Sequence, residues 1–416
     1  MRIVKIRARM ILDSRGNPTV EVDCFTKKGF GRAQVPSGAS TGEREALELR
    51  DGGNAFGGLG VLRAMRNVNH ELSKIVCGMN VFNQREIDLA MIEADSTENK
   101  SRLGANAILG VSLAVARCAA KSLGLPLYRY LNEKSYLLPV PMMNVINGGA
   151  HASNELEFQE FMILPLKKSF RESLRVGVET YHELGEIISE KYGKASTNLG
   201  DEGGYAPQMR DEREALDTIS KAVESLGYED VIRFALDVAP SHFYDEKKGV
   251  YKLKDKDFSR EELIELYENL IETYRIVSIE DPMFERDFLG FKAITETLGD
   301  KIQIVGDDVF VSNPNIFKEG IENKICNALL LKVNQIGTLT EALDAAELAF
   351  ENDYKVVVSH RSGETEDSFI ADLSVALSCG QIKAGAPARG ERCAKYNQLL
   401  RIEEELEGGR YPFELY

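Results

Sequence analysis

Six successive apolar runs in the second part of the chain each end in a charged or ionisable side chain. These end residues are, in chain order, Asp237, Glu280, Asp307, Lys332, His360 and Lys383. Charged residues make up about a quarter of an average protein, so one such ending means little, whereas six in succession favour a shared site. Because the strands of a closed barrel present their carboxyl ends at one mouth, we expect these side chains to converge there.

Three of the end residues are carboxylates on adjacent predicted strands, namely Asp237, Glu280 and Asp307. Buried anions repel one another unless a cation lies between them or some become protonated. Oxygen ligands suit a hard ion, and Mg²⁺ accepts them while keeping coordination positions open for a substrate. The pattern therefore predicts a magnesium site. The alternative is that these carboxylates form ion pairs with the neighbouring lysines.

Cationic groups follow at the ends of the later strands. Lys332 lies in the apolar run 329–334, where a lysine is costly unless it is paired or functional. Facing a metal and other cations, its pKa should fall, which makes it a usable general base; a salt bridge to a barrel carboxylate is the alternative. Arg361 and Ser362 suit a phosphate, and Lys383 adds a cation for an anionic substrate. These residue types predict proton abstraction beside a carboxylate.

Three loops contain further candidates. Residues 147–151 combine two glycines with His151, so the backbone can approach a ligand closely, although a lone histidine is more often structural. Glu202 lies in an acidic, glycine-containing turn that is ordinary by itself. Residues 37–42 lack the lysine of a P-loop, but such a small-residue loop is able to close over a site.

The elements that must position these residues follow from hydrophobic periodicity. Strands are predicted over 4–12, 19–26 and 30–35, and a helix apolar nearly all round over 106–123. Eight further strands are predicted at 140–146, 160–164, 233–237, 276–280, 302–306, 328–333, 355–359 and 381–384. About a dozen residues separate the first two of these eight, too few for a crossover helix, so that pair should be antiparallel.

The spacing therefore predicts an α/β barrel of ββαα(βα)₆ order with a smaller N-terminal α+β domain. We place the N-terminal capping domain at residues 1–135 and the catalytic barrel at 136–416. No low-complexity linker separates them, so the two parts should pack together.

Composition excludes several classes of partner. The formal net charge is −15 without a basic stripe, so nucleic acid is a poor partner, and an anionic substrate needs locally concentrated positive charge. No stretch approaches the roughly 20 apolar residues of a membrane span. Basic residues interrupt the N-terminal apolar pattern, so it does not resemble a signal peptide, and we expect a cytoplasmic protein.

Long motifs along essentially the whole chain resemble the enolase family. They are DSRGNPT (13–19), SGASTG (37–42), SIEDP (278–282), LLLKVNQIGTL (329–339) and SHRSGET (359–365). The resemblance implies reversible, Mg²⁺-dependent dehydration of 2-phosphoglycerate to phosphoenolpyruvate, in glycolysis and gluconeogenesis. It also implies a homo-oligomer, either a dimer or an octamer.

The resemblance also assigns roles. It implies that Lys332 takes the proton from C2 and that Glu202 assists departure of the C3 hydroxide as general acid. It implies two Mg²⁺ ions per site, the first held by the three carboxylates and the second, bound with help from Ser40, arriving with substrate. The substrate-binding residues that it implies are His151, Gln159, Glu160, His360, Arg361 and Ser362 for the pocket and phosphate, and Lys383 for the carboxylate.

Two other functions compete with this assignment. Another acid dehydratase or racemase of the enolase superfamily would share the carboxylates but would not need Arg361 and Ser362. A non-catalytic scaffold would be free to lose Lys332 or Glu202, and both are present.

Overall fold

The N-terminal part of the molecule is built on a small antiparallel sheet. The computed structural model describes residues 1–39, 41–407 and 409–415. Within these residues the sheet has three strands, in the order β1 (Ile3–Leu12), β2 (Pro18–Thr26) and β3 (Phe30–Gln34). The three strands predicted from alternating hydrophobicity are therefore confirmed.

Five α-helices follow the sheet. They are α1 (Leu62–Arg66), α2 (Ser73–Val76), α3 (Gln84–Asp95), α4 (Ala105–Leu123) and α5 (Leu127–Leu131). A short π-helical segment, Asn67–Leu72, joins α1 to α2. The predicted helix over 106–123 is α4, and it ends at Gly124, whose positive φ of 71° lets the chain turn away.

Helix α4 lies at the centre of the N-terminal part. By length and composition alone it is apolar enough to cross a membrane, so the expectation that no stretch approaches such a length was wrong. However, 78% of its most apolar stretch is buried inside the protein. A helix that is apolar on all faces belongs in a core, and here it packs against β2 and β3.

Gly31 on β3 allows this close packing. A Cβ atom at this position would lie 2.2 Å from the carbonyl oxygen of Ala114 and 2.3 Å from the amide nitrogen of Cys118, both backbone atoms of α4. We expect Gly31→Ala to lower the free energy of unfolding by about 1–3 kcal/mol or more, because sheet and helix must separate. Denaturant unfolding of variant and parent measures this difference.

Gly390→Ala is the matched control for Gly31→Ala. Gly390 begins a helix, and nothing lies within 4 Å of the position that a Cβ would take. Its unfolding midpoint should stay near that of the parent. Equal midpoints for the two variants would show that the contact between β3 and α4 is not tight in solution.

The second part of the chain is a closed barrel. In the part of the chain that the structure describes, the barrel has eight strands, namely β4 (Val140–Asn147), β5 (Glu160–Pro165), β6 (Ile232–Asp237), β10 (Ile276–Glu280), β11 (Gln303–Gly306), β12 (Ala328–Leu331), β13 (Lys355–Ser359) and β14 (Gln381–Lys383). Strand β5 is antiparallel to both β4 and β6, and the other neighbours are parallel. The antiparallel start predicted from the short first connection is confirmed.

Helices surround the barrel. They are α6 (Phe170–Tyr192), α7 (Glu212–Ser225), α8 (Arg260–Tyr274), α9 (Phe288–Leu298), α10 (Pro314–Glu322), α11 (Val333–Ile336), α12 (Leu339–Glu351), α13 (Phe369–Leu377) and α14 (Gly390–Glu405). Helices α6 and α7 follow β5, and each later barrel strand is followed by a helix, so the ββαα(βα)₆ order is confirmed. Side chains at the first residues fix several helix starts: Ser259 and Glu262 form a capping box on α8.

One part of the barrel was not predicted. Between β6 and α8 the chain forms a small antiparallel sheet of β7 (Tyr244–Asp245), β8 (Val250–Leu253) and β9 (Lys256–Phe258). These strands have two to four residues and carry several exposed lysines, so they lack the hydrophobic alternation on which the prediction depended.

Candidate active site

The six ionisable residues chosen from the sequence lie at the carboxyl ends of barrel strands. Asp237, Glu280 and Lys383 are the last residues of β6, β10 and β14, and the residues immediately after β11, β12 and β13 are Asp307, Lys332 and His360. One narrow cavity at this mouth is lined by His151, Gln159, Glu160, Glu202, Asp237, Lys332, Ser359, His360, Arg361, Ser362 and Lys383. The convergence predicted from strand order is therefore present.

The ammonium group of Lys383 holds several carboxylates together. Its Nζ lies 2.7 Å from Glu280 Oε2, 3.1 Å from Glu160 Oε1 and 3.2 Å from Asp237 Oδ2. Burial by itself would lower the pKa of Lys383, but Asp237, Glu160 and Glu280 raise it well above its usual value. Gln159 donates from Nε2 to the same Asp237 oxygen over 3.3 Å. Lys383 therefore remains a cation deep in the barrel.

Lys332 is paired with Asp307. Its Nζ donates to Asp307 Oδ2, and Gln335 donates to Asp307 Oδ1 over 2.8 Å. Burial favours the neutral amine, yet the attraction of Asp307 outweighs burial and raises the pKa of Lys332 above its usual value. This differs from the predicted fall, because here an anion rather than other cations is the closest influence. Lys332 can act as a base only once Asp307 is engaged elsewhere.

A group of aspartates near the mouth has the composition of a cation site. Among the residues that the structure describes, Asp281, Asp307 and Asp308 bring carboxylate oxygens within 4.8 Å of one another. The predicted set of Asp237, Glu280 and Asp307 is not drawn together this closely, since Lys383 lies between Asp237 and Glu280. Two ammonium groups thus form ion pairs with the three predicted ligands, which is the arrangement left open as the alternative.

The chemistry of the predicted ligands nevertheless fits a hard divalent cation. All donors are carboxylate oxygens, and Glu280 Oε1 is buried and makes no hydrogen bond to any described residue. A buried carboxylate oxygen without a partner is costly, and a cation would satisfy it. Burial and the neighbouring Asp237 raise the pKa of Glu280 well above its usual value, because both disfavour a further negative charge here.

Glu160 and Glu202 form an unequal pair beside His151. One ligand atom from each of the three lies within 4.8 Å of the others. Burial, together with the charge of Glu202, raises the pKa of Glu160 well above its usual range. Glu202 is buried as well, and its Oε2 atom lies 3.3 Å from His360 Nε2. Of the two carboxyl groups, Glu160 is therefore the one that burial drives towards the protonated form.

Arg361 is held by a carboxylate from the N-terminal part. Its two terminal nitrogens lie 2.9 and 3.0 Å from the oxygens of Glu45, and Asn334 accepts a further hydrogen bond at 3.1 Å. Arg361 is buried, so this bidentate pair is largely removed from water. A guanidinium that binds one planar anion in this manner is equipped to bind another.

The loop predicted to close over the site contacts the barrel directly. The backbone of Ser37 exchanges two hydrogen bonds of 2.8 Å with Gly363, and the amide of Ala39 donates to Ser362 Oγ over 2.7 Å. A Cβ on Gly363 would lie 2.6 Å from the Ser37 oxygen, so glycine permits this approach. Ser40, the remaining predicted metal ligand, lies outside the described residues.

Comparisons with known proteins follow the same division of the chain. The family model described as "Enolase, N-terminal domain" matches residues 3–131, and "Enolase, C-terminal TIM barrel domain" matches residues 135–412. The enolase of Thermococcus gammatolerans is 63% identical over 410 residues, covering 98% of this chain and 95% of the relative. The chain belongs to the enolase family.

Other relatives agree with this assignment. The enolase of Methanopyrus kandleri is 62% identical over 412 residues, covering 98% of this chain and 96% of the relative, and that of Pyrococcus furiosus is 62% identical over 410 residues, covering 98% and 95%. Membership in the enolase family at this identity makes the chain an enzyme, a phosphopyruvate hydratase of the lyase class. The predicted family and fold are therefore confirmed.

Several residues of this enolase-family site were missed from the sequence. Glu45 binds Arg361, Gln335 binds Asp307, and Asn144 donates to Glu202 over 3.1 Å. Asp281 accepts the backbone amides of Asp307 and of the following residue, each over 2.8 Å. Gln335 and Asp281 lie inside the motifs that resemble the enolase family, next to predicted site residues in the chain. This closeness in sequence could have identified them. Glu45 gave no such signal, because its partner is 316 residues away.

Proposed function

We propose that the chain catalyses the reversible, Mg²⁺-dependent dehydration of 2-phosphoglycerate to phosphoenolpyruvate, as a step of glycolysis and gluconeogenesis. The observation that carries the proposal is the single cavity lined by Lys332, Glu202 and Arg361. A base, an acid and an anion-binding guanidinium in one enclosed space are the groups that loss of water from a phosphorylated hydroxy acid requires.

Asp237, Glu280 and Asp307 are the proposed ligands of the first Mg²⁺. Their oxygens end three neighbouring strands, and Glu280 Oε1 lacks a partner among the described residues. Ser40 is the proposed ligand of a second ion that arrives with substrate. Bound there, the ions supply positive charge that stabilises the extra negative charge created when a proton leaves a carbon beside a carboxylate.

Lys332 is the proposed base that removes the proton from C2. The lysine is half-buried at the mouth, where β12 and α11 orient its amine. In the structure its ammonium pairs with Asp307, so the amine becomes basic only when that carboxylate is engaged by another cation. Lys332 then carries the abstracted proton as an ammonium ion.

The Glu160–Glu202 pair is the proposed source of the proton for the departing C3 hydroxide. Glu202 is the acid that faces the substrate, and Glu160 beside it stores the proton, because burial raises its pKa. His151 lies 3.5 Å from Glu160 and 3.8 Å from Glu202, within reach of both. In the reverse direction the ionised Glu202 would accept a proton from the attacking water.

The remaining cavity residues are the proposed substrate contacts. Arg361 and Ser362 bind the phosphate, and Lys383 binds the carboxylate. Gln159 and His360 complete the wall of the cavity. The guanidinium of Arg361 already binds a carboxylate in two-pronged fashion, which is the geometry that a phosphate would use in its place.

An activity assay with two substrates tests the function. Phosphoenolpyruvate formation from 2-phosphoglycerate is followed by absorbance, and a 2-hydroxy acid without a phosphate is the comparison substrate. We expect turnover of the phosphorylated substrate alone, because Arg361 and Ser362 are placed to hold its phosphate. Comparable turnover of the unphosphorylated acid would instead assign the chain to another acid dehydratase or racemase, and no turnover of either would support a scaffold role.

We further propose that residues 1–135 cap a catalytic barrel of residues 136–416 and that the protein is a cytoplasmic homo-oligomer, either a dimer or an octamer. The small N-terminal sheet and the closed barrel support the division, and the family supports the remainder. Analytical ultracentrifugation distinguishes a monomer from either oligomer. The small-molecule substrate is the proposed partner, with no role for nucleic acid or a membrane span.

A further inference from the structure

A fully buried arginine joins two segments that carry proposed active-site residues, 360–362 and 201–202. Arg392 in the first turn of α14 is 0% exposed. Its NH1 atom lies 2.6 Å from His360 Nδ1 and 2.6 Å from the carbonyl oxygen of Arg361. Its NH2 atom lies 3.0 Å from the carbonyl oxygen of Asp201 and 2.5 Å from that of Ser362.

Burying this guanidinium is costly, and its partners are mostly neutral. Three of the four bonds go to backbone carbonyls, while the side chain of Glu391 lies 3.6 Å from Nε. The ion pair with Glu391 is long, so a charge removed from water is only partly compensated here, which is unfavourable in a protein interior. None of the roles assigned above uses Arg392, so its cost calls for another explanation.

The contact with His360 fixes which ring nitrogen carries hydrogen. Arginine only donates, so His360 Nδ1 must be the acceptor and cannot be protonated. A neutral imidazole in this state has its hydrogen on Nε2. Burial lowers the pKa of His360 to about 4, which keeps the ring neutral near pH 7.

His360 Nε2 in turn faces the proposed acid. It lies 3.3 Å from Glu202 Oε2 and makes no hydrogen bond to any described residue, so this carboxylate is the anion it faces. With hydrogen on Nε2, the ring directs a donor at Glu202; in the other tautomer it would direct a lone pair at the carboxylate, which is repulsive. The backbone carbonyl of Asp201, bonded to the same guanidinium, belongs to the residue before Glu202.

We propose that Arg392 is a positioning residue that holds His360 as the Nε2–H tautomer and thereby orients Glu202 for proton transfer. The proposal rests on the function proposed above for Glu202. Arg392 acts through His360 and the neighbouring backbone and has no contact with the substrate. Its effect should therefore fall on the chemical step rather than on substrate binding.

Nuclear magnetic resonance of the protein labelled with ¹⁵N-histidine reads the tautomer directly, without substrate. Long-range ¹H–¹⁵N correlation distinguishes the two tautomers, and the spectrum of His360→Gln identifies the His360 signals. We expect the Nε2–H form in the parent and loss of its dominance in Arg392→Met. Arg392→Lys keeps one donor and should retain more of the Nε2–H form than Arg392→Met does.

Arg389→Met is the matched control. Arg389, three residues earlier, also bonds backbone carbonyls, those of Gly200 over 3.1 Å and Ser14 over 2.9 Å, but does not contact His360. The tautomer of His360 should be the same in this variant as in the parent. A change of tautomer in both variants would mean that general loosening of the loops, rather than the contact from Arg392, is responsible, and would overturn the proposal.

Kinetics complete the test. Arg392→Met should lower kcat for 2-phosphoglycerate by at least about tenfold with little change in KM, because a general acid must be held in position to act. Arg392→Lys should restore part of kcat.

A parent His360 in the Nδ1–H form, or an unchanged kcat in Arg392→Met, would overturn the proposal. If Arg392→Met does not fold, the tautomer of His360 in the parent, together with the tautomer and kcat of Arg392→Lys, still decides whether the proposal holds. If the parent does not turn over 2-phosphoglycerate, the proposed function fails, while the tautomer result still decides whether Arg392 controls His360.

Discussion

Lys332→Ala should lower kcat for phosphoenolpyruvate formation by more than about a thousandfold. A positioned general base contributes two to four powers of ten in rate, and no other neutral amine is proposed at C2. The loss should appear equally in kcat and kcat/KM, because the lysine acts on the proton only as the bond to carbon breaks. Steady-state kinetics at saturating Mg²⁺ measure both values.

The loss must be separated from damage to the fold. Lys100 is the control, since it is a lysine shielded from water and paired with a carboxylate: its Nζ lies 3.0 Å from Glu341 Oε1, and it is not among the residues that line the cavity. Lys100→Ala should reduce stability yet retain turnover in the folded fraction. Turnover near the parent value in Lys332→Ala would refute the proposed base.

Removal of divalent cations is the second change with a large expected effect. Dialysis against a chelator should abolish turnover, and added Mg²⁺ should restore it, because three carboxylates and the developing charge on the substrate lack sufficient compensation without the ion. Glu280→Gln removes one ligand charge and should raise the Mg²⁺ concentration for half-maximal activity by at least about tenfold. Full turnover in excess chelator would contradict the proposal.

Asp88→Asn is the control for Glu280→Gln. Asp88 on α3 is a buried carboxylate as well, but its hydrogen-bond partners are the side chains of Gln84 and Thr340, both neutral. Its replacement should leave the Mg²⁺ requirement unchanged, because Asp88 is on the N-terminal part and outside the cavity at the mouth. A shift in both variants would indicate a general effect of removing buried acidic groups.

The order of the barrel was predictable because hydrophobic periodicity and connection length are local properties of the chain. The antiparallel start followed from the short segment between β4 and β5, and it is confirmed. Of the predicted strand ends, that of β12 differs most from the structure: β12 ends at Leu331, although the apolar run continues to Val333. The amide of Lys332 bonds Ser312 Oγ over 2.8 Å, and α11 begins at the next residue, so a side chain from elsewhere ends the strand.

The sequence predicted which residues form the site better than it predicted how those residues contact one another. Residue type and strand position identified Lys332 and Asp307, but the pairing between them was only an alternative, and the structure adopts it. Arg392 and Glu45 were not identified at all, since nothing in their local sequence marks them. Their importance depends on partners that the folded chain brings together, His360 and Arg361. The roles assigned to the site residues remain predictions.

On the role proposed for Arg361, its bond with Glu45 would make substrate binding an exchange of anions. A phosphate that reaches Arg361 must displace a carboxylate already held by both guanidinium nitrogens, so the affinity reports a difference between two charged pairs. Glu45 belongs to the segment that follows the loop over the mouth. Its displacement releases one tether between the N-terminal part and the barrel. Substrate binding and release of that segment are then thermodynamically linked. Release of the segment changes the substrate affinity by the same factor as bound substrate changes the equilibrium constant for release.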